Sequence, residues 1–153
     1  MERNYYLIDR VLIMKRWKCG FIPMMMFLLV ACGDPLKEKV IETYDNGQTM
    51  KVRMYDRKGE CTREIEYYET GEVKMEGGMK GENREGEWKA YFPDGKIQSD
   101  GFFENGIRVG KATIYYENGN VYKEGYYKNG NLTGQWTTYD EQGYVIGVQD
   151  FGE

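Results

Sequence analysis

The sequence predicts an all-β fold, an elongated antiparallel meander of stacked β-hairpins with a 24-residue repeat, preceded by an N-terminal signal segment. Three observations support this prediction: the composition, the spacing of the glycines and the hairpin turns. The 153-residue chain contains 14 tyrosines and 20 glycines but only three prolines. Aromatic residues suit pleated strands and glycine supplies turn conformations, so this composition favours short strands joined by tight turns.

The repeat is visible in four columns of residues that share the same 24-residue spacing. Turn glycines recur at Gly47, Gly71, Gly95, Gly119 and Gly143. Glycines that follow an acid (Glu76, Asp100, Glu124) recur at Gly77, Gly101 and Gly125. Gly86, Gly110 and Gly134 are followed two residues later by Trp88, Ala112 and Trp136, and tyrosines recur at Tyr67, Tyr91, Tyr115 and Tyr139. A fixed period of this length indicates a repeat architecture.

Each unit of the repeat has the pattern of a β-hairpin. Residues 121–127 and 132–139 predict two strands, with Asn129-Gly130 between them. Asn-Gly pairs favour the positive φ angles of hairpin turns. Glycines of the Gly125 column fall inside the predicted strands, which indicates bulges or the close approach of a large neighbour.

The N-terminal 31 residues predict a secretory signal. Lys15, Arg16 and Lys18 precede an apolar stretch that ends in Leu29-Val30-Ala31-Cys32. A basic head, a short apolar segment and a small residue at the cut site are typical of such signals. Acidic residues at positions 2 and 9 do not suit a signal head, so we expect translation to begin at Met14.

The end of this segment resembles the lipobox of bacterial lipoproteins through Leu29, Ala31 and Cys32. The resemblance implies that residues 1–31 are removed, that Cys32 is acylated, and that residues 32–41 form a lipidated tether before a repeat domain at 42–153. It also implies a lipid-anchored protein of the bacterial cell envelope, on the inner membrane, the outer membrane or the surface. An ordinary secretory signal or a single anchoring helix remains an alternative.

The repeat columns resemble the MORN repeat, and more closely the variant found in the bacterial YwqK-like antitoxin family. The recurring pattern is matched best from Gly125 through Trp136 to Tyr139, and the resemblance covers roughly Thr43 to Gly147. It implies stacked hairpins in a twisted sheet. It implies little about activity, because such repeats serve scaffolding, lipid contact and partner binding in different proteins.

The aromatic residues divide into a structural set and an exposed set. A lone hairpin is not stable, so most aromatics must pack between units. We expect the core to be formed by aromatic residues that recur at the 24-residue spacing: Trp88, Trp136, Tyr91, Tyr115 and Tyr139. We expect Phe102, Tyr122 and Tyr126 to form a stripe on the opposite face, where a partner could bind.

The composition argues against catalysis, cofactors and metal binding. The chain has no histidine, and removing Cys19 with the signal and acylating Cys32 leaves Cys61 alone. We therefore expect no enzyme, no metal site and no cofactor. Without residues 1–31, 16 basic and 23 acidic residues remain, a net charge of −7. This balance argues against a nucleic-acid partner.

Two functions remain open from the sequence. The first is a membrane-anchored, non-catalytic envelope lipoprotein whose repeat sheet binds a protein or a glycan. The second is an antitoxin or immunity protein of the YwqK-like family that neutralises a toxin. An assembly scaffold that oligomerises through the sheet ends is a weaker third possibility.

Overall fold

A computed structural model describes residues 36–153, which form ten β-strands and no helix. The strands are β1 (Lys37–Thr43), β2 (Thr49–Tyr55), β3 (Cys61–Tyr67), β4 (Val73–Lys80), β5 (Asn83–Tyr91), β6 (Ile97–Glu104), β7 (Ile107–Tyr115), β8 (Val121–Lys128), β9 (Asn131–Tyr139) and β10 (Val145–Asp150). They pair in chain order as one antiparallel sheet. The predicted all-β meander is confirmed, whereas the expected signal segment lies outside the described residues.

The sheet begins earlier than the sequence suggested. We expected a tether up to residue 41, but β1 starts at Lys37 and pairs with β2 from Lys37 opposite Tyr55 to Thr43 opposite Thr49. This strand was hidden because its two apolar residues, Val40 and Ile41, are adjacent and flanked by charged residues, so no alternating apolar pattern suggests a buried face.

The glycine column of Gly86, Gly110 and Gly134 marks a recurring irregularity in β5, β7 and β9. Gly77 faces Trp88 but Gly78 faces Glu85, so Gly86 and Glu87 are two extra residues on β5. The three glycines have φ angles of 73°, 67° and 60°. This left-handed conformation is accessible to glycine without strain, which explains why the column has no side chain.

The sheet has two faces that differ in chemistry, because residues opposite each other in antiparallel strands project to the same side. The tryptophan face is defined by the row Gly77, Trp88, Gly101, Ala112, Gly125 and Trp136. The tyrosine face is defined by the neighbouring row Glu76, Lys89, Asp100, Thr113, Glu124 and Thr137, together with Tyr91, Tyr115 and Tyr139.

The core is distributed over both faces of this single layer. Cys61, Met79, Trp88 and Phe103 form a buried cluster on the tryptophan face. The first unit lacks the glycine and tryptophan columns, and there the same row continues as Arg53 opposite Glu64. The Nε atom of Arg53 donates to the buried Glu64 carboxylate at 2.7 Å, so an ion pair between a half-buried arginine and a buried acid occupies the position that the later units give to an indole over glycine.

Successive units are connected by tyrosine hydroxyls at the start of the turns. Tyr44, Tyr68 and Tyr116 each donate to a backbone carbonyl 23 residues further on, at 2.7–2.8 Å. The acceptors are the carbonyls of Tyr67, Tyr91 and Tyr139. Phe92 occupies the corresponding place in the third unit and has no hydroxyl, so this connection is missing there.

Candidate functional site

The tryptophans lie directly over glycines of the neighbouring strand. A Cβ atom at Gly77 would overlap the indole ring of Trp88, and one at Gly125 would overlap that of Trp136. The Nε1 atom of Trp88 donates to the Gly78 carbonyl at 2.9 Å, and that of Trp136 donates to the Tyr126 carbonyl at 3.1 Å. The close approach expected for the Gly125 column is therefore made by the tryptophan column.

The middle unit keeps the glycine but lacks the indole. A Cβ atom at Gly101 would meet only the Cβ of Ala112, at 3.7 Å, an ordinary contact. A cavity of about 30 Å³ opens beside Gly101 and is bordered by Trp88, Phe103 and Arg108. It has room for about one water molecule, so it is a packing defect and too small for a ligand.

Arginines cover the aromatic rings of the tryptophan face. The Cζ atom of Arg84 lies 4.0 Å from the ring centre of Trp88 and 5.5 Å from that of Phe103. The Cζ atom of Arg108 lies 5.2 Å from the ring centre of Phe103 and 5.4 Å from that of Tyr127. These distances are those of cation–π contacts. The aromatic core of this face therefore presents guanidinium groups to its surroundings.

The last three tyrosines of the repeat column each donate a hydrogen bond to an acid 15 residues earlier on the tyrosine face. Tyr91, Tyr115 and Tyr139 donate to Glu76, Asp100 and Glu124, each at 2.8 Å. All three tyrosines are half-buried. We expected them in the core with the tryptophans, but their strands place them on the opposite face. There the hydroxyl needs a polar partner, and the acid that precedes each strand glycine supplies it.

These pairs shift the ionisation of both partners. Burial, followed by the hydrogen bond to Glu76, raises the pKa of Tyr91 to about 12. Burial opposes ionisation of Glu76, but hydrogen bonds from Tyr91 and Arg63 outweigh it and hold the pKa of this carboxyl below its ordinary value. The hydrogen bond to Glu124 and then burial raise the pKa of Tyr139. The tyrosines are thus proton donors at neutral pH.

The three residues expected to be exposed lie on the tyrosine face, but they do not form one cluster. Phe102, Tyr122 and Tyr126 expose 44%, 40% and 54% of their surface. Phe102 and Tyr126 occupy equivalent positions on β6 and β8, with β7 between them. The Tyr122 ring packs edge-on against Tyr116, with ring centres 5.0 Å apart. The stripe is therefore two separated aromatic positions plus a tyrosine pair.

The remaining cysteine of the described residues is part of the core. Cys61 is buried, and its thiol contacts the carbonyl oxygen of Arg63 at 3.7 Å. Burial raises the pKa of the Cys61 thiol, so the group is protonated and unreactive at neutral pH. Cys32, the expected acylation site, lies outside the described residues.

Within residues 36–153 no group of acidic or cysteine side chains is arranged to hold a metal ion, and no helix could cross a membrane.

Arg84 and Arg108 are the surface residues that our sequence analysis overlooked. They lie 24 residues apart, each two positions before a glycine of the Gly86 column. The spacing was therefore available as a signal. It was missed because arginines in a strand of alternating polarity look like ordinary solvated residues, and only the register shows the rings beneath them.

Comparison with known families supports the repeat. The MORN repeat variant matches residues 84–105 and 108–129. Each match begins at one of the two arginines and covers one hairpin, β5–β6 or β7–β8. The matched part is narrower than the range of 43–147 over which the sequence shows the resemblance. No curated protein matches the chain.

Proposed function

We propose that the repeat sheet is a non-catalytic binding module, anchored to the bacterial envelope by lipid on Cys32, that holds a protein or a glycan. The observation that carries the binding proposal is the exposure of Phe102, Tyr122 and Tyr126 on a face where the other column aromatics are hydrogen-bonded and half-buried. Exposed aromatic side chains on an otherwise polar surface are typical of interaction sites.

The chemistry of the tyrosine face supports recognition of a polar partner. Phe102 is the cross-strand neighbour of Glu87, and Tyr126 is the cross-strand neighbour of Lys111. An aromatic ring beside a charged group suits a partner surface with both apolar and hydrogen-bonding parts, as protein and sugar surfaces have.

Binding is tested with three alanine substitutions, Phe102→Ala, Tyr122→Ala and Tyr126→Ala, made together. The chain from residue 33 onward is used as bait against envelope proteins and polysaccharides. Partners captured by the native domain should be lost by the triple variant. Tyr144→Ala is the matched control, because Tyr144 is 72% exposed and lies outside the stripe. A partner retained by the triple variant would show that the stripe is not the site.

The anchoring proposal rests on the Leu29, Ala31 and Cys32 pattern and is tested separately. Cys32→Ala, or treatment with the signal-peptidase inhibitor globomycin, should leave an unprocessed precursor. No processed, mature protein should then be attached to the membrane. Several acyl chains hold a soluble domain on a bilayer far more firmly than one, so removal of the acylation site in Cys32→Ala should be decisive. Unchanged processing and membrane association would contradict lipidation.

A second candidate is an antitoxin or immunity protein related to the YwqK-like family. The excess of acidic residues, a net charge of −7 over residues 32–153, favours a basic toxin as its target. Co-expression with the products of neighbouring reading frames should rescue growth if one of them is a toxin. A neighbourhood without a toxic product would eliminate this candidate.

A further inference from the structure

The charged side chains of β4–β9 are segregated between the two faces. On the tryptophan face the only charged residues of these described strands are basic: Arg84, Arg108 and Lys123. The acids of the same strands all project from the tyrosine face: Glu76, Glu85, Glu87, Asp100, Glu104 and Glu124. A chain that is acidic overall therefore carries, over β4–β9, one face whose strand charges are all positive.

The arginines of this face are held in place but are not neutralised. Their guanidinium groups contact the rings of Trp88, Phe103 and Tyr127, while the Nζ atom of Lys123 lies 5.5 Å from the ring centre of Trp136. Within residues 36–153 none of these three cations makes an ion pair with a carboxylate, whereas Lys89 and Lys111 on the other face do. A guanidinium stacked on a ring keeps the N–H donors at its edge available for an anion.

The spacing of the arginines indicates the shape of the anion. Arg84 on β5 and Arg108 on β7 lie on strands about 9.5 Å apart. The register offsets them along the strands, because Arg108 is level with Gly86 through Phe103. Their Cζ atoms nevertheless lie 5.5 and 5.2 Å from the same Phe103 ring centre, so the two guanidinium groups are at most about 11 Å apart. Side chains on one side of an extended strand repeat every ~6.7 Å, which does not match. A polyproline II helix advances about 9.3 Å in its three-residue turn, so carboxylates three residues apart would meet both arginines.

We propose that the tryptophan face between β5 and β9 binds an acidic peptide segment in the polyproline II conformation. One carboxylate pairs with the guanidinium of Arg84 and a second, three residues away, pairs with that of Arg108. Each pair can form two parallel N–H···O hydrogen bonds, the strong geometry for arginine and carboxylate. Lys123 adds a third positive charge toward β9. This site lies on the face opposite the aromatic stripe, so this proposal does not depend on the function proposed above.

The test is titration of the full chain, purified in detergent, with a peptide that repeats Glu-Pro-Pro. Binding should be measurable by calorimetry and should weaken as salt is added, because the contacts are ionic. The matching Gln-Pro-Pro peptide should not bind. Arg84→Gln with Arg108→Gln should weaken binding roughly tenfold or more, since charged hydrogen bonds are lost at both sites.

Matched variants keep the outcome interpretable. Lys89→Gln with Lys111→Gln removes the same charge from the tyrosine face and should bind as the native chain does. Arg84→Lys with Arg108→Lys keeps the charge but not the two-pronged donor, and should bind between the native chain and the glutamine variant. If the glutamine variant loses its β-sheet signal in circular dichroism, the affinity of the lysine variant for the Glu-Pro-Pro peptide tests the proposal instead.

Three results would overturn the proposal. The first is equal affinity of the native chain and the arginine variants for the Glu-Pro-Pro peptide. The second is tighter binding of an alternating Glu-Val peptide, a uronate oligosaccharide or polyphosphate, any of which would assign the face to another ligand. The third is self-association that occupies the face and disappears in the arginine variants, which would assign it to a second copy of the chain.

Discussion

Gly125 lies directly beneath the indole ring of Trp136, and the Nε1 atom of that indole donates to the carbonyl of Tyr126, the residue that follows the glycine. The same arrangement joins Gly77, Trp88 and Gly78. The glycine column of Gly125 and the tryptophan column of Trp136 therefore form a single packing unit, because the ring can approach the backbone this closely only where no Cβ intervenes.

This unit predicts opposite effects for two glycine substitutions in the same column. Gly125→Ala should destabilise the domain by about 1–3 kcal/mol, because its Cβ forces the Trp136 ring out of place. Gly101→Ala should be neutral or stabilising by about 0.4–1 kcal/mol, because its Cβ meets only Ala112 and the unfolded chain loses freedom. Urea denaturation curves provide the measurement. Equal destabilisation by both substitutions would contradict the account.

The tyrosine connections between units predict a stabilising substitution. Phe92→Tyr should place a hydroxyl near the carbonyl of Tyr115, as Tyr68 and Tyr116 do for their acceptors. The added hydrogen bond should contribute about 0.5–1.5 kcal/mol. Tyr116→Phe is the reciprocal control and should lose a similar amount. Thermal unfolding of the two variants and the native chain compares them, and a lower midpoint for Phe92→Tyr would refute the prediction.

The pair of Tyr91 and Glu76 predicts a loss of stability in alkali. The pKa of Tyr91 is about 12 in the folded domain, against about 10 for an unfolded tyrosine. Its contribution is therefore complete below pH 10 and is lost as the pH rises through 12. Denaturant unfolding at a series of pH values should show a shallower loss over this interval in Tyr91→Phe than in the native chain. Parallel curves would show that the pair does not carry this effect.

The acid side of the same pair predicts a second pH dependence. The pKa of Glu76 is lowered in the folded domain, so its contribution is complete above the unfolded pKa and is lost as the pH falls through the lower, folded value. Glu76→Gln should therefore reduce the stability of the domain at neutral pH and weaken its dependence on acid. Acid titration followed by circular dichroism tests this, and an unchanged acid midpoint would contradict it.

The fold class and the period could be predicted from the sequence because they depend on local chemistry. Turn glycines, Asn-Gly pairs and aromatic strands each act within a few residues, and their repetition at Gly95, Gly119 and Gly143 makes the pattern unambiguous. The close approach at Gly125 could also be predicted, since a glycine inside a strand often marks a site where a neighbouring group approaches the backbone closely. The neighbour that approaches was not identified until the register was known.

Alternation along β5 alone puts Trp88 and Tyr91, three residues apart, on opposite faces, and our expectation of a common core overlooked this. The carboxylate partner of Tyr91 could not be predicted, because it depends on a bulge. Two extra residues at Gly86 and Glu87 set which side chains of β5 oppose those of β4, and so bring Glu76 to the Tyr91 hydroxyl. Likewise, Val40 lies in a strand whose charged neighbours hid it.

Covalent capture at the aromatic stripe tests the proposed binding function most directly. Tyr126→p-benzoylphenylalanine places a photo-crosslinking group at a 54%-exposed position of the stripe, and the same replacement at Tyr144 gives a 72%-exposed control outside it. Illumination of intact cells should yield one discrete adduct from position 126 and none of that mass from position 144. No adduct at 126, or the same adduct at both positions, would contradict a binding role for this stripe.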